Sequence, residues 1–164
     1  MINLRKLTND DISKKYLSWM NDKNIHQFTE QRHLRHTLKK IKKFVFDKNK
    51  SKNEFLYGIF LNDLHIGNIK LGPINPIHKY AVISYFIGEK KLHNSGYATK
   101  AIKEIIKIAK KKQIKKLKAG VYYLNKASQK ALKKNGFKLE GILKKEYIYK
   151  NKRIDSLIFG KVLK

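Results

Sequence analysis

Apolar residues along this chain follow two spacings, one typical of strands and one typical of helices. Short runs rich in Ile, Val, Tyr and Phe, bounded by polar or glycine-containing turns, predict strands. The predicted strands cover residues 2–7, 55–61, 64–71, 80–87, 116–123, 137–149 and 154–163. Apolar residues three and four positions apart predict amphipathic helices. One helix is predicted from a cap at residues 9–11 to about residue 19, and the others at 37–46, 99–112 and 125–134.

The order of these elements predicts an α/β fold. A strand, two helices, three strands, a helix, a strand, a helix and two strands follow one another, which predicts a mixed, mostly antiparallel sheet flanked by about four helices. The Gly-Pro pair at residues 72 and 73 is expected to end the strand before it. The helix at 99–112 has the clearest apolar stripe, formed by Ala101, Ile102, Ile105, Ile106 and Ala109.

Length and composition predict a single domain over residues 1–164. A chain of 164 residues with 41% hydrophobic and 31% charged residues can build a core and is too apolar for a disordered protein. There is no cysteine, which excludes disulfides and thiol chemistry and fits a reducing compartment. No apolar run approaches the roughly 20 residues that a membrane span needs, and no signal-peptide pattern is present. We therefore expect a cytoplasmic protein without membrane contacts.

The formal net charge of +27 leaves three interpretations open. The chain could bind nucleic acid, attract anionic small molecules, or carry its lysines on solvated faces without a ligand. Nucleic acid is the least favoured partner, because Lys rather than Arg supplies most of the charge and base recognition favours Arg. His26, His33 and His36 have no second set of ligands at metal spacing, so no metal site is predicted.

The turn between the strand at 80–87 and the helix at 99–112 is the strongest candidate for ligand binding. The first N–H groups of a helix have no partner within it, and the positive end of the helix dipole lies there, so such a turn can hold a phosphate. Gly96 would let the backbone approach an anion with no side chain in the way. The candidate residues are His93, Asn94, Ser95, Gly96, Tyr97, Ala98 and Thr99.

Two signatures make this turn more specific. The first is Gly96-Tyr97-Ala98-Thr99, and the second is Asn125-Lys126-Ala127-Ser128 followed by Asn135-Gly136-Phe137. Together they resemble the GNAT superfamily of acyl-CoA-dependent N-acyltransferases, and within it the RimJ/RimL-like branch. The resemblance covers nearly the whole chain.

The resemblance implies acetyl-CoA as the donor, with its pyrophosphate held by the turn at 93–99. It also implies that main-chain groups of Phe86 and Ile87 pair with the pantetheine arm, and that Asn125 contacts the pantetheine amides. The family's strand carries a bulge at this point. One departure is His93, because the family's turn usually begins with Gln or Arg.

Acetyl transfer to an amine needs a group that takes the amine proton, a polarised thioester carbonyl and a proton for the leaving thiolate. Only 12 residues of the chain are Asp or Glu. The resemblance implies Glu146, which precedes Tyr147, as the base. Glu30 is another candidate base, and Glu140 is assigned a structural role.

The proton donor is less well defined by the sequence. Many relatives place a Tyr acid seven residues after the motif Asn, where this chain has Leu132. The resemblance then implies Ser128 as the group near the sulfur, although a thiolate can also leave without a proton. The absence of Cys and of a Ser-His-Asp arrangement favours direct attack of the amine on the thioester.

The resemblance places the acceptor in a cleft bordered by the first two helices and their loop. Trp19, Glu30 and Arg32 are the candidate acceptor-binding residues, although Trp19 could instead pack in the core. The stretch at 26–37 is basic with a single acid, which favours an amine on an anionic group, with a nucleotide-linked amino sugar as the leading example.

Two other functions remain open at this stage. The RimJ/RimL likeness implies the N-terminal amine of a ribosomal or other protein as the acceptor. A non-catalytic basic module that binds nucleic acid or the ribosome on the same scaffold is the third hypothesis. Both a monomer and a homodimer are compatible with the sequence.

Overall fold

One seven-stranded sheet runs through the protein, as the computed structural model of residues 1–164 shows. The strands are β1 (Ile2–Lys6), β2 (Phe55–Leu61), β3 (Leu64–Asn75), β4 (Tyr80–Ile87), β5 (Lys116–Tyr122), β6 (Lys138–Tyr149) and β7 (Lys152–Val162). Their order in the sheet is β1-β2-β3-β4-β5-β7-β6. All neighbours are antiparallel except β4 and β5, which are parallel. The predicted mixed, mostly antiparallel α/β sheet is confirmed.

Four helices cover the two faces of this sheet. They are α1 (Lys14–Met20), α2 (Leu38–Lys50), α3 (Tyr97–Lys111) and α4 (Lys126–Lys134). The larger core lies under α3 and α4, where the α3 residues Ala101, Ile102 and Ile105 are fully buried. The smaller core lies on the other face, under α1 and α2. No helix combines the length and the apolar character needed to cross a lipid bilayer.

The parallel strands β4 and β5 separate towards one end. They pair only where residues 80–82 of β4 face residues 116–118 of β5. Beyond Val82, β4 is hydrogen-bonded to β3 on one side, and β5 continues along β7 on the other. The sheet therefore has a gap in its middle, open towards the ends of both strands and close to the start of α3.

Three predicted elements differ most from the structure, whereas the other predicted boundaries lie within two residues of the observed ones. β3 does not end before Gly72 but continues to Asn75, because a bulge at the Gly72–Pro73 pair lets the chain pass without breaking the ladder. That bulge lies in β3, whereas the resemblance implied one in β4. The cap at residues 9–11 forms a separate 3-10 turn, and α1 begins at Lys14 with Ser13 as its N-cap. Finally, α2 extends past the predicted end at residue 46 to Lys50.

Candidate active site

The start of α3 forms an open anion-binding position. Gly96 is its N-cap, has a φ of +80° and offers no capping side chain to the first turn. A Cβ added at Gly96 would meet no other atom within 4 Å. The first N–H groups of α3 therefore point into free space, at the positive end of a 15-residue helix. These features fit the pyrophosphate of a coenzyme A molecule.

The other residues of the turn hold its shape. His93 Nε2 lies 2.8 Å from the main-chain oxygen of Ile87, so this ring ties the turn to the end of β4. Asn94 also has a positive φ, of 61°. The main-chain oxygen of Thr99 accepts a 3.0 Å hydrogen bond from Asn135 Nδ2, which joins the two sequence signatures. Ser95, Tyr97 and Ala98 complete the turn, and the predicted contact of each with the pyrophosphate stays a prediction.

The open side of β4 exposes alternate main-chain groups to the gap. Gly88 N–H donates to the Ile66 oxygen of β3 at 2.8 Å. Residues of an antiparallel strand alternate in the side to which their main-chain groups point. The groups of Phe86 therefore face β3, and those of Tyr85 and Ile87 face the gap. Of the two residues predicted to pair with pantetheine, Ile87 is on the open side, whereas Phe86 directs its side chain into a cleft described below.

On the α3 and α4 side of the gap, a tyrosine and a serine form a hydrogen-bonded pair. The hydroxyl of Tyr85 lies 2.7 Å from Ser128 Oγ. Asn125 is the N-cap of α4, because its Oδ1 accepts from the Ser128 N–H at 3.1 Å. Burial raises the pKa of Tyr85 to about 12, so this phenol keeps its proton at neutral pH. Leu132, at the position of the family's usual acid, is fully buried.

The opposite face of the sheet carries a cleft of about 560 Å³. Its floor consists of alternate residues from three adjacent strands, which therefore point to the same side. These residues are Leu56, Asn68, Lys70, Ser84 and Phe86. Its walls come from α1, α2 and the segment between them, and include Tyr16, Met20, His26, Thr29, Glu30, Gln31, Leu34, His36, Lys40, Ile41 and Phe44.

A polar network joins this cleft to the end of β5. The Tyr122 hydroxyl donates a short hydrogen bond to Glu30 Oε1 and accepts one from Arg32 Nη1 at 3.0 Å. Arg32 Nη2 also donates to the Ile148 oxygen at 3.0 Å. Burial, and to a lesser extent the Glu30 carboxylate, raises the pKa of Tyr122 to about 12. Because Tyr122 borders the gap and Glu30 lines the cleft, the network lies where the two meet.

Aromatic rings fix this network from the side of β6. The ring of Tyr147 stacks on that of Tyr122, with centroids 3.9 Å apart and planes inclined by 4°. Phe28 packs against Tyr122 and Tyr149 at 6.0 and 5.4 Å. Arg32 lies 5.0 Å from the centroid of the Tyr122 ring. Glu30 is thus oriented by Tyr122, whose ring is fixed by the aromatic residues and the guanidinium around it.

Four predicted residues do not line the cleft. Arg32, a candidate acceptor-binding residue, is engaged instead in hydrogen bonds to the Tyr122 hydroxyl and to main-chain oxygens of Gln27 and Ile148. Trp19 is 5% exposed and belongs to the smaller core, where it packs against Tyr16 and fills the space above Gly88. It does not line the cleft, because α1 turns its ring towards the sheet. Glu146 is exposed in β6 and makes no hydrogen bond or ion pair within the protein. Glu140 pairs with Lys116 at 2.8 Å, which agrees with a structural role.

Sequence reasoning missed several residues that the fold brings to the site. Tyr85 and Tyr122 are strand residues whose apolar neighbours made them look like core positions. Asn68 lies on the cleft and was not predicted, whereas His26 lies there as part of the stretch at 26–37 that the sequence placed beside the acceptor. No group of three or more acidic, histidine or cysteine side chains is placed to hold a metal ion. The alternation of side chains along a strand could have placed Tyr85 and Phe86 on opposite faces of the sheet. No local pattern predicted the hydrogen-bond partner of Tyr85 or of Tyr122.

Comparison with known proteins identifies the family to which the chain belongs. Residues 4–158 match the family model described as an acetyltransferase (GNAT) domain. The chain belongs to the GNAT family of acetyltransferases. This confirms the predicted family and class of enzyme, an N-acetyltransferase that uses acetyl-CoA. It also removes the support for a non-catalytic module. No curated protein sequence matches the chain significantly.

Several solved structures share the fold at low sequence identity. The microcin C7 self-immunity acetyltransferase MccE, in complex with acetyl-CoA and AMP, has a TM-score of 0.85 and 21% identity, over 99% of this chain and 92% of that one. RimL, the ribosomal L7/L12 α-N-protein acetyltransferase in complex with coenzyme A, has a TM-score of 0.88 and 18% identity, over 99% and 94%. Spermidine N-acetyltransferase from Vibrio cholerae, with coenzyme A and spermine, has a TM-score of 0.87 and 19% identity, over 98% and 95%.

Proposed function

We propose that this GNAT acetyltransferase acetylates a primary amine carried on an anionic group, with a nucleotide-linked amino sugar as the leading example. The observation that carries this proposal is the charge of the cleft. Lys40 and Lys70 line it, with the Lys70 ammonium 3.1 Å from the Glu54 carboxylate, and Glu30 is the only acidic residue of the lining. A polyamine needs several carboxylates for its ammonium groups, whereas a phosphate needs cations such as these.

Two neighbours bear on this choice in opposite directions. MccE was crystallised with AMP, so the same fold can bind a nucleotide phosphate beside acetyl-CoA. RimL acetylates a ribosomal protein, which keeps a protein N-terminus as the second candidate acceptor. A peptide needs an open groove, whereas this cleft is walled by α1, α2 and the segment at 26–36. The net charge of +27 also opposes basic peptides and polyamines.

The two faces of the sheet would divide the reaction. Bound acetyl-CoA supplies the thioester acyl group. The turn at 93–99 and the open side of β4 would hold the donor on the α3 side, and the cleft would hold the amine on the other. The gap between β4 and β5 is the place where the two can meet. Direct attack of the amine then needs a base for the amine proton and a proton for the leaving thiolate, besides a polarised thioester carbonyl.

Glu30 is the best-placed group to take the proton from the amine. It lines the cleft, and its Oε1 is oriented by the Tyr122 hydroxyl. A base must lie within hydrogen-bonding reach of the proton that it removes, directly or through one water. Glu146, the base implied by the resemblance, is exposed in β6 with no partner that orients it. Glu146 therefore remains a candidate, with less support from the structure than Glu30.

The Tyr85–Ser128 pair would supply the proton for the leaving sulfur. We expect Ser128→Ala and Tyr85→Phe each to lower kcat about tenfold while leaving the Kd for coenzyme A within a factor of two or three. Since the two hydroxyls act through one hydrogen bond, the double variant should be no slower than the slower single variant. Steady-state kinetics and calorimetry measure both quantities. Unchanged kcat in both single variants would mean that the thiolate leaves without help from this pair.

The acceptor is tested with a panel of amines at fixed acetyl-CoA. We expect turnover with uridine diphosphate amino sugars, and little with spermidine or with N-terminal peptides of ribosomal proteins. Lys40→Met should raise KM for the nucleotide-linked amines about tenfold, because Lys40 lines the cleft and a phosphate would lose one cation. Lys39→Met is the matched control, since Lys39 is exposed on the same helix but does not line the cleft. Turnover confined to the peptides would overturn the proposal and leave the fold and donor intact.

A further inference from the structure

The cleft contains buried polar atoms that have no partner in the protein. His26 is 1% exposed and Asn68 is 3% exposed, yet neither His26 Nε2 nor Asn68 Nδ2 makes a hydrogen bond. Both side chains line the cleft. A buried polar atom left unpaired costs about 1–3 kcal/mol, so native structures rarely keep two of them in one place without a ligand.

Both unpaired groups belong to side chains that are otherwise held rigidly. His26 Nδ1 lies 3.1 Å from Thr29 Oγ1. Asn68 Oδ1 accepts from His65 Nε2 at 2.8 Å, which leaves the amide N–H₂ as the free end. The Trp19 carbonyl lies near the His26 ring and the Tyr16 phenol near the Asn68 amide. Neither meets hydrogen-bonding geometry to the unpaired atoms.

The two side chains are neighbours where the wall of the cleft, with His26, meets its floor, with Asn68. Asn68 and Phe86 are directly opposite each other in β3 and β4 and point to the same side of the sheet. The His26 ring packs edge-on against the Phe86 ring, with centroids 4.8 Å apart. Phe86 thus joins His26 and Asn68 in one part of the cleft.

The charge state of this floor restricts the ligand. Burial, and then the nearby His36, lowers the pKa of His26 to about 4, so the imidazole is neutral at pH 7. A cation would face the Asn68 N–H₂ group, which is only a donor. An anion could accept a hydrogen bond from Nε2 in only one of the two tautomers of His26. The cations of the cleft that would attract an anion are Lys40 and Lys70, not His26. A hydroxyl suits either tautomer, since it can donate to Nε2 or accept from it while accepting from Asn68.

We propose that His26 and Asn68 form a subsite for hydroxyl groups of the acceptor, beside the reacting amine. This inference rests on the function proposed above and narrows it to hydroxylated amines. Lysines would then select the anionic part of the acceptor, and the neutral floor would select its sugar-like part.

Four acceptors distinguish a preference for hydroxyl groups from a preference for an anionic group. Uridine diphosphate glucosamine and uridine diphosphate hexanolamine carry a nucleotide, whereas glucosamine and cyclohexylamine do not. The hydroxyl subsite predicts at least a tenfold higher kcat/KM for the hydroxylated member of each pair, because the other leaves two buried groups unpaired. The proposed preference for anionic acceptors predicts instead that both nucleotide-linked amines have a higher kcat/KM than the two nucleotide-free amines. The two proposals are therefore tested by different comparisons, and one can be wrong while the other holds. Equal rates within the pairs, or turnover of neither hydroxylated compound, would overturn the subsite.

Two variants assign the selection to His26. In His26→Asn the amide takes the place of Nδ1 and can keep the Thr29 contact, but nothing replaces Nε2, so the preference for hydroxylated acceptors should disappear. His26→Gln places an amide close to the position of Nε2, so this variant should retain part of the preference for hydroxylated acceptors. The thermal midpoint and the coenzyme A affinity of both variants report on folding. A preference that is unchanged in folded His26→Asn would contradict the proposal.

Discussion

Gly96→Glu should lose coenzyme A binding while the protein remains folded. A carboxylate at residue 96 would stand in front of the first turn of α3, where the unpaired N–H groups face open space. Its negative charge would repel a pyrophosphate and its side chain would occupy the same volume. Like charges brought together in a binding site cost several kcal/mol. We therefore expect at least about a hundredfold weaker binding in calorimetry.

The positive φ of Gly96 calls for two controls. Any other residue at a φ of +80° costs about 1–2 kcal/mol of stability, whatever its charge. Gly96→Ala carries this backbone cost without filling the ligand position, and Gly96→Gln carries the cost and the bulk without the charge. Affinity should fall in the order Ala, Gln, Glu, while the three thermal midpoints fall together. Parent-like affinity in folded Gly96→Glu would refute the assignment of this turn to the phosphates.

Local sequence patterns were sufficient to predict most of this fold. The stripe of α3 repeats at helical spacing, and four of its five residues, Ala101, Ile102, Ile105 and Ala109, are fully buried. The short apolar runs became strands with nearly the predicted bounds. The exception at Gly72–Pro73 shows what local reasoning lacks, since β4 pairs with β3 before the bulge, at Leu71, and again after it, at Ile74. The Gly-Pro pattern describes a single strand, whereas the hydrogen bonds between strands depend on the neighbouring strands of the sheet.

More of the donor half of the site than of the acceptor half could be predicted from the sequence. The donor turn is one continuous segment, so its shape follows from Gly96 and the start of a helix. The acceptor half joins residues far apart in the chain, such as Glu30 with Tyr122 and Tyr85 with Ser128. Periodicity places each residue on a face of its own element but does not say which other element covers that face. For this reason Tyr122 and the pairing of Tyr85 were missed.

The two candidate bases make opposite predictions because their surroundings differ. Glu30 is oriented by Tyr122 and sits in the cleft, whereas Glu146 is an exposed side chain between Lys145 and Tyr147. A general base in position contributes about 100-fold or more to the rate. Glu30→Gln removes the negative charge but keeps an oxygen that accepts from Tyr122, so the network can persist. Glu146→Gln is the matched change at the other carboxylate.

We expect Glu30→Gln to lower kcat about 100-fold with little change in coenzyme A affinity, and Glu146→Gln to retain a near-parental kcat. Tyr122→Phe removes the hydroxyl that orients Glu30 but leaves the carboxylate, so it should cost less than Glu30→Gln. A 100-fold loss in Glu146→Gln, with Glu30→Gln near the parent, would assign the base to Glu146 and leave Glu30 a role in holding the acceptor.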